Sequence, residues 1–254
     1  MNVLLDSKLG NPYTSQSQKI RVITESWVKQ EIYCPSCGGD VSQYTNNKPV
    51  ADFYCTRCTE DFELKSKKGK TPKKIPAGAY SKMIERVQSS TNPNFFLMGY
   101  KESWNVEDFF VVPKHFFVPE IIEKRKALSQ TAKRAGWVGS NILFSKIPNA
   151  GHIFYVQQGI VVPKKQVLGK WQKTAFLKEV GRPESRGWIL DIMNCIDELG
   201  LREFTLGDIY AFEPVLKTLY PQNNNIKAKI RQQLQILRDR NYLKFIGSGS
   251  YALI

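Results

Sequence analysis

Three segments decide the fold of this chain: Tyr33-Cys-Pro-Ser-Cys-Gly38, Ala51-Asp-Phe-Tyr-Cys-Thr-Arg-Cys58 and Asp61-Phe-Glu-Leu-Lys65. The first two contain Cys-x-x-Cys pairs separated by 17 residues, a spacing typical of four-cysteine zinc sites. Each pair places two thiolates on one tight turn, and two such turns complete a tetrahedron around one ion. The pattern predicts a structural zinc site whose ligands are Cys34, Cys37, Cys55 and Cys58.

Two other interpretations of these cysteines are a pair of redox motifs and a coincidence of spacing. A short knuckle cannot bury enough apolar area to fold alone, and a bound zinc ion would supply the missing folding energy, which favours the metal site. The remaining cysteine, Cys195, lies on an apolar helical stripe and is expected to be a small buried hydrophobe. His115 and His152 have no partners at ligand spacing and are expected to be ordinary structural residues.

The same segments contain a second candidate site, in which carboxylates could bind a metal ion. Glu63 and Lys65 lie two apart in a predicted strand and therefore point to one face, with Asp52 in the preceding strand. Two carboxylates brought together bind a hard cation such as Mg²⁺, and a nearby lysine can orient or deprotonate the attacking water. The D-x10-E-x-K pattern is loose, and chance surface charges are its commonest origin. Its position between the cysteine pairs favours a nuclease-type metal site, because zinc would hold the hairpin that presents both carboxylates.

The chain is strongly basic, with a formal net charge of +14 and a pI near 9.5. Such a charge indicates a polyanionic partner; nucleic acid is the first candidate, an acidic membrane surface the second, and a merely basic protein the third. Residues 181–254 contain 10 Lys and Arg against 8 Asp and Glu, so most of the excess precedes them. The lysines after Glu63 form either a solvated loop or a grip on the phosphate backbone; they are Lys67, Lys68, Lys70, Lys73 and Lys74.

Targeting signals are not apparent in the sequence. The N-terminus does not read as a signal peptide, and the apolar runs fall short of the ~20 residues that span a membrane. We therefore expect a cytoplasmic protein without membrane association, whose cysteines bind metal or stay free. No obligate protein partner is expected.

Hydrophobic periodicity predicts an α/β or α+β core with helices around a few central strands. Residues 163–185 are rich in Lys, Gly and Pro and are predicted to be a linker. The boundary between the two predicted domains, 1–180 and 181–254, lies within it. The predicted helices cover 15–33, 79–90 and 119–133; the predicted strands cover 50–54, 61–65, 95–100, 108–112 and 153–156, with a hairpin tip at 55–58.

The segment 181–254 carries three predicted helices and a β-hairpin, which is the order of a winged helix-turn-helix. After an apolar stripe from Ile189 to Leu199, a second helix begins at Thr205, where Asp208 completes a capping box. The third helix starts near Asn225, and its apolar stripe consists of Ile226, Ile230, Leu234 and Leu237. Its outward residues are of types that read bases and hold phosphates, although a solvated helix face is equally compatible; they are Asn225, Lys229, Arg231, Gln232 and Gln235.

Several motifs resemble those of the DpnI family of methyl-directed restriction endonucleases. The similarity extends from about Lys19 to the C-terminus and is weakest in residues 1–16 and near 163–183. The motifs are Ser17-Gln-Lys19 with Thr24-Glu-Ser-Trp-Val28, Tyr33-Cys-Pro-Ser-Cys-Gly38, Pro49-Val-Ala-Asp-Phe-Tyr-Cys55, Phe62-Glu-Leu-Lys-Ser-Lys-Lys-Gly69, Asn92-Pro-Asn-Phe-Phe96, Arg134-Ala-Gly-Trp-Val-Gly139 and Lys229-Ile-Arg-Gln-Gln-Leu-Gln235.

The resemblance implies a PD-(D/E)xK nuclease core with a four-cysteine zinc-binding insertion, followed by a small winged-helix domain. It implies a type II, Mg²⁺-dependent enzyme that cleaves double-stranded DNA at GATC carrying N6-methyladenine. Asp52, Glu63 and Lys65 fall on the family's catalytic positions, and the Leu64 backbone carbonyl is expected to join the carboxylates as a magnesium ligand. Ala51 stands where the family's formal motif has a proline; that proline is structural, so the departure puts little in doubt.

The same resemblance places Trp137 at the DNA, whereas its residue type alone would favour a core position. Arg134, Lys67 and Lys68 are further candidate DNA contacts, and Glu25 is expected to support the metal site. Methyl dependence rests on the resemblance alone. Two alternatives stay open: a non-catalytic zinc-ribbon and winged-helix DNA-binding regulator, and a GATC nuclease with a different methylation preference. The intact carboxylate and lysine set, which a pure binder does not need, favours a nuclease.

Overall fold

Helices and strands alternate along the chain, and the computed structural model describes them over residues 1–45, 51–71, 73–89, 91–181 and 183–254. The strands are β1 (Val41–Gln43), β2 (Phe53–Cys55), β3 (Asp61–Lys68), β4 (Lys74–Ala79), β5 (Asn94–Tyr100), β6 (Val106–Val112), β7 (Ile122–Lys124), β8 (Gly139–Leu143), β9 (Ile153–Gln157), β10 (Ile160–Val161), β11 (Glu203–Thr205), β12 (Leu243–Gly247) and β13 (Ser250–Leu253). The helices are α1 (Gln16–Glu31), α2 (Tyr80–Gln88), α3 (Lys164–Thr174), α4 (Pro183–Leu199), α5 (Leu206–Tyr210), α6 (Glu213–Leu219) and α7 (Ile226–Asp239). Within these ranges, none of the helices is long and apolar enough to cross a membrane.

The main sheet has seven strands in the order β1-β2-β3-β5-β6-β9-β10. Strands β3 and β5 pair in parallel, and the other neighbours pair antiparallel. Strand β5 reads Asn-Phe-Phe-Leu-Met-Gly-Tyr and is buried along its whole length, as a central strand covered on both faces should be. The strands expected at 95–100, 108–112 and 153–156 are confirmed as β5, β6 and β9, each with boundaries that differ by two residues or fewer.

Helix α1 packs against the side of this sheet that carries β1 and β3. Its buried stripe includes Ile23, Trp27 and Val28, and Trp27 meets Phe109 edge-on with ring centroids 5.1 Å apart. The helix expected at 15–33 is therefore confirmed, with Ser15 at the N-cap position but without a side-chain capping bond. The apolar stripe fixes the rotation of α1 about its axis. As a result, Arg21, Thr24 and Glu25 of this helix line the same cleft as Asp52 and Glu63.

A smaller antiparallel sheet, in the order β4-β8-β7, packs with α2. The helix expected at 119–133 is wrong: residues 119–121 form a single 3-10 turn and β7 follows at once. Ile121 and Ile122 are both buried, and Ile122 pairs with Ile142 of β8, so strand pairing satisfies the backbone here. The residues at 125–133 are almost all exposed, which leaves a helix there no apolar face to bury.

The linker expected at 163–185 is also wrong over most of its length. Helix α3 and a 3-10 turn at Ala175–Glu179 occupy it, and they bury Val167, Trp171 and Leu177. The lysines between these apolar residues are exposed and conceal the i, i+4 spacing of Val167 and Trp171.

The C-terminal part is a winged helix. Its sheet has the order β11-β13-β12, and the Thr205–Asp208 capping box at the start of α5 is confirmed. Helix α7 begins after Asn225 and buries the predicted apolar stripe. Strand β11 and helix α6 were not predicted from the sequence, because segments of three and seven residues are too short to show a recognisable hydrophobic periodicity. The molecule is thus a mixed α/β core followed by a winged helix.

Candidate active site and zinc centre

The four predicted cysteines meet at one point. Their Sγ atoms all lie within 4.8 Å of one another, with Cys34 Sγ 3.6 Å from Cys58 Sγ and Cys37 Sγ 3.4 Å from Cys55 Sγ. Cys34 and Cys37 lie on a turn closed by the Gly38 N–H to the Cys34 carbonyl, at 2.8 Å, with Gly38 at a φ of 71°. Cys55 ends β2 and Cys58 lies in the turn before β3, so the predicted hairpin tip is confirmed.

This cluster can hold a metal ion such as zinc. A tetrahedral ion with Zn–S bonds of about 2.3 Å requires sulfur–sulfur distances of about 3.8 Å, close to those observed. Burial raises the pKa of the Cys34 thiol, and a bound cation would offset that effect by stabilising the thiolate. Cys195 is buried in α4, as expected, and His115 and His152 do not belong to the cluster.

Asp52 and the start of β3 are held together by backbone geometry. Asp52 lies one residue before β2, not within a strand as predicted; its N–H donates to the Phe62 carbonyl at 2.9 Å. Its Oδ2 accepts a hydrogen bond from the Leu64 N–H at 2.8 Å. Because the N–H and C=O of one strand residue point to the same side, the Leu64 carbonyl also faces Asp52. Residue 50, the first of the predicted strand at 50–54, lies outside the described residues.

Glu63 and Lys65 lie on one face of β3, as their spacing predicts. Lys65 Nζ lies 2.5 Å from Glu63 Oε1, and Arg86 Nη2 of α2 lies 2.8 Å from Glu63 Oε2. Burial raises the pKa of Asp52, and the charge of Glu63 raises it further. Two neighbouring carboxylates beside a backbone carbonyl form a donor set suited to a hard divalent cation.

Glu25 lies next to this set on α1. Its carboxylate accepts hydrogen bonds from Arg21 Nε at 2.7 Å and from Gln43 Nε2 at 2.6 Å. Burial raises the pKa of Glu25, and the nearby charge of Asp52 raises it further. Glu25 is thus already bound by protein donors, and it lines a cavity of about 220 Å³ together with Asp52.

The carboxylates open onto a cleft of about 760 Å³. Lys67 and Lys74 line it, and Lys74 pairs with Glu123 at 3.1 Å. Lys68 is not among the lining residues and forms an ion pair with Glu102 instead. The polar and charged residues that line the cleft are Ser17, Arg21, Thr24, Glu25, Asp52, Glu63, Lys65, Ser66, Lys67, Lys74 and Arg86.

Trp137 lies at the end of the loop between β7 and β8 and is half-buried. The Arg134 guanidinium carbon lies 4.9 Å from the centre of its ring, and a Cβ at Gly139 would come within 2.7 Å of the indole. Gly139 therefore makes room for the ring. The loop from 125 to 138 contains no Asp or Glu, and its basic residues, of which only Arg134 was singled out from the sequence, are Arg125, Lys126, Lys133 and Arg134.

The predicted outward residues of α7 are at its surface. Asn225, Arg231, Gln232 and Gln235 are exposed, while Lys229 is half-buried and donates to Gln232 Oε1 at 2.8 Å. Arg231 Nη1 donates to the Tyr210 hydroxyl at 2.7 Å, which fixes its direction. Tyr210 and Arg86 were missed from the sequence because each acts through a partner more than 20 residues away, and no local spacing signals such a contact.

Together, the mixed sheet with its four-cysteine cluster and the attached winged helix define a PD-(D/E)xK nuclease with a second DNA-binding domain. The family model described as the DpnI, Dam-replacing family matches residues 1–180, and that of the Dam-replacing HTH domain matches residues 184–252. The chain therefore belongs to the DpnI, Dam-replacing family. It is accordingly a restriction endonuclease whose partner is DNA.

Proposed function

We propose that this chain is a type II, methyl-directed restriction endonuclease that hydrolyses double-stranded DNA at GATC sites containing N6-methyladenine. The observation that carries the proposal is that Asp52, Glu63 and Lys65 line one cleft, with Lys65 on Glu63 and the Leu64 N–H on Asp52. A non-catalytic regulator would have no use for two half-buried carboxylates beside a lysine in one cleft.

Asp52, Glu63 and the Leu64 carbonyl would hold Mg²⁺. When bound, that ion supplies positive charge to the phosphate undergoing attack and makes water more acidic. Lys65 Nζ lies on the same face and orients the attacking water toward the phosphorus. In-line attack breaks the bond to the 3′ oxygen, which takes up a proton, so the products carry 5′-phosphate and 3′-hydroxyl ends.

The DNA backbone and the bases would be held by different surfaces. Lys67 lines the cleft and is placed to hold a phosphate near Lys65, whereas Lys68 would first have to leave Glu102. The N6-methyl group lies in the major groove and offers no hydrogen bond, so an apolar contact must detect it. Trp137, with Arg134 above its ring, is the candidate for that contact in domain 1–180.

The winged helix, as domain 181–254, would be a second reader of the target. Its exposed α7 residues match the types that contact base edges and phosphates. We assign these contacts to Asn225, Lys229, Arg231 and Gln232.

The test is cleavage of plasmids from adenine-methylating and non-methylating hosts in the presence of Mg²⁺. We expect cleavage of the methylated plasmid alone, no detectable cleavage by Asp52→Asn, and about a 10²–10⁴-fold slower rate for Lys65→Ala. The matched control is Lys101→Ala, which removes an equally ion-paired lysine, bound to Glu107 at 2.5 Å, and should cleave normally.

Each other outcome identifies a different error. Cleavage of the unmethylated plasmid alone would identify a GATC nuclease of the opposite preference. No cleavage of either plasmid would favour the non-catalytic regulator. Full activity of Asp52→Asn would refute the assigned site.

A further inference from the structure

Both oxygens of the Glu63 carboxylate are contacted by cations from different elements. Lys65, two residues along β3, lies on Oε1, and Arg86 of α2 lies on Oε2. A metal ion at this site needs one of those oxygens. When a cation binds, one of the two contacts, that of Lys65 or that of Arg86, must therefore give up its oxygen while the other can remain.

The two cations differ in mobility. Lysine carries a compact ammonium on a flexible stem, whereas the arginine guanidinium is planar and rigid. The Arg86 side chain is 23% exposed, and its guanidinium carbon lies 6.0 Å from the centre of the Phe95 ring on β5, the strand that pairs with β3. Arg86 is thus fixed against the sheet that carries Glu63.

Arg86 also lies between two cavities that meet at Glu63. It lines the 760 Å³ cleft and a second cavity of about 670 Å³ on the side of α2. The terminal torsion of a glutamate is broad, so the carboxylate plane of Glu63 is not fixed by its own rotamer. A planar donor held on Oε2 would fix that plane.

We propose that Arg86 is the positioning residue of the metal site: it holds Oε2 of Glu63 so that Oε1, released by Lys65, is presented to the cation. Lys65 is then available for the attacking water. The inference rests on the proposed function, because it assumes that Glu63 is a metal ligand. Donors that orient metal ligands in this way typically contribute about 10–100-fold to metal affinity or activity.

Orientation and charge predict opposite effects for the loss of Arg86. If Arg86 acted only as a positive charge near the cation, its removal would tighten metal binding. If it orients Glu63, its removal weakens binding. The sign of the change in metal affinity therefore identifies the role.

The experiment is calorimetric titration of the zinc-loaded, DNA-free protein with Mn²⁺ as the probe. We expect Arg86→Ala to weaken Mn²⁺ binding by about 10–100-fold. Arg86→Lys, which keeps the charge and a donor nitrogen but not the planar guanidinium, should recover part of the loss. In cleavage assays, Arg86→Ala should raise the Mg²⁺ concentration needed for half-maximal rate.

The matched control is Lys82→Ala, on the same helix. Lys82 is 77% exposed and pairs with Glu85 rather than Glu63, so this variant removes one positive charge from α2 without removing a contact of Glu63. Its Mn²⁺ affinity should equal that of the unaltered protein. A second reference is Glu63→Gln, which should weaken Mn²⁺ binding more than either arginine variant.

The outcomes separate the two proposals. Unchanged or tighter Mn²⁺ binding by a folded Arg86→Ala overturns the positioning role while leaving the proposed function intact. If Arg86→Ala does not fold, equal Mn²⁺ affinity of Arg86→Lys and the unaltered protein overturns it in the same way. Unchanged binding by Glu63→Gln refutes the metal site itself, and both proposals then fail.

Discussion

At the scale of single residues, the site is a region of opposed charges partly shielded from water. Burial raises the pKa of both Glu25 and Asp52, and the charge of Asp52 adds to the shift of Glu25. Arg21 offsets the charge of Glu25, as Arg86 offsets that of Glu63. A divalent cation would relieve the remaining repulsion, so the same arrangement that destabilises the charged carboxylates favours metal binding.

A buried histidine makes the stability of the fold depend on pH. His115 is 2% exposed, and burial lowers its pKa well below the usual value, with the charges of Lys178, Arg186 and Lys114 adding to the effect. The folded state keeps His115 neutral, whereas the unfolded chain takes up a proton below about pH 6.5. The free energy of unfolding should therefore fall as pH drops below that value, by about 1.4 kcal/mol per pH unit for this group.

The measurement is urea unfolding at pH 7.5 and pH 5.5 for the unaltered chain and for His115→Gln. The variant should be less stable at pH 7.5, because it disturbs the 3.3 Å contact between His115 Nε2 and the Thr174 hydroxyl. It should nevertheless lose less stability on acidification. An equal loss in both proteins would show that His115 does not carry the pH dependence.

At the scale of elements, the sequence predicts what local spacing encodes. The four cysteines, the same-face position of Glu63 and Lys65, and the Thr205 capping box depend on residues close in the chain or on a metal-ligand spacing, and the structure contains them. The prediction of a helix at 119–133 is wrong because the helical pattern there is weak, and Ile122 pairs with Ile142 on β8 instead. The prediction of a linker at 163–185 is wrong because the lysines of this segment obscure the helical spacing of Val167 and Trp171, which are buried in α3.

The hairpin that carries Cys55 and Cys58 is the element on which the position of Asp52 depends. Asp52 is three residues from Cys55, and its hydrogen bonds with Phe62 and Leu64 join the residue before β2 to β3. We expect Cys34→Ser to lose the bound zinc, to lower the melting temperature and to abolish cleavage, because the hairpin that places Asp52 loses its cross-link. For a chain of this size, each 1 kcal/mol lost lowers the melting temperature by about 2–4 °C.

Zinc content, melting temperature and cleavage would be measured on the same samples. Cys195→Ala is the matched control, since this cysteine is buried in α4 outside the cluster and its variant should keep zinc and activity. Normal cleavage by a verified zinc-free protein would contradict the structural role of the metal.

At the scale of the whole molecule, the parts matched by the two family models share one hydrophobic core. A single cluster of buried side chains includes Phe116 and Ile121 from the first part and Ile192 and Leu234 from the second. The surplus positive charge lies mainly in residues 1–180, the part that also contains the cleft, and it would attract DNA to this part of the molecule. Packing of this kind gives the winged helix a fixed place beside the nuclease core rather than a flexible tether.

A shared core predicts one cooperative unfolding transition rather than two. Helix α4 is tied to the nuclease core by the Asn149 N–H to Asp197 Oδ2, at 2.7 Å, and by Asn194 Nδ2 to the Lys146 carbonyl, at 2.9 Å. Removing both bonds in Asn194→Ala/Asp197→Ala should lower the stability of the entire molecule by about 2–4 kcal/mol. Differential scanning calorimetry should show a single peak whose calorimetric and van't Hoff enthalpies agree, displaced downward in the double variant. Glu198→Ala, an exposed change on the same helix, should leave the peak in place. Two peaks, of which the double variant shifts only one, would show that the winged helix folds independently and that the common cluster does not couple the two parts.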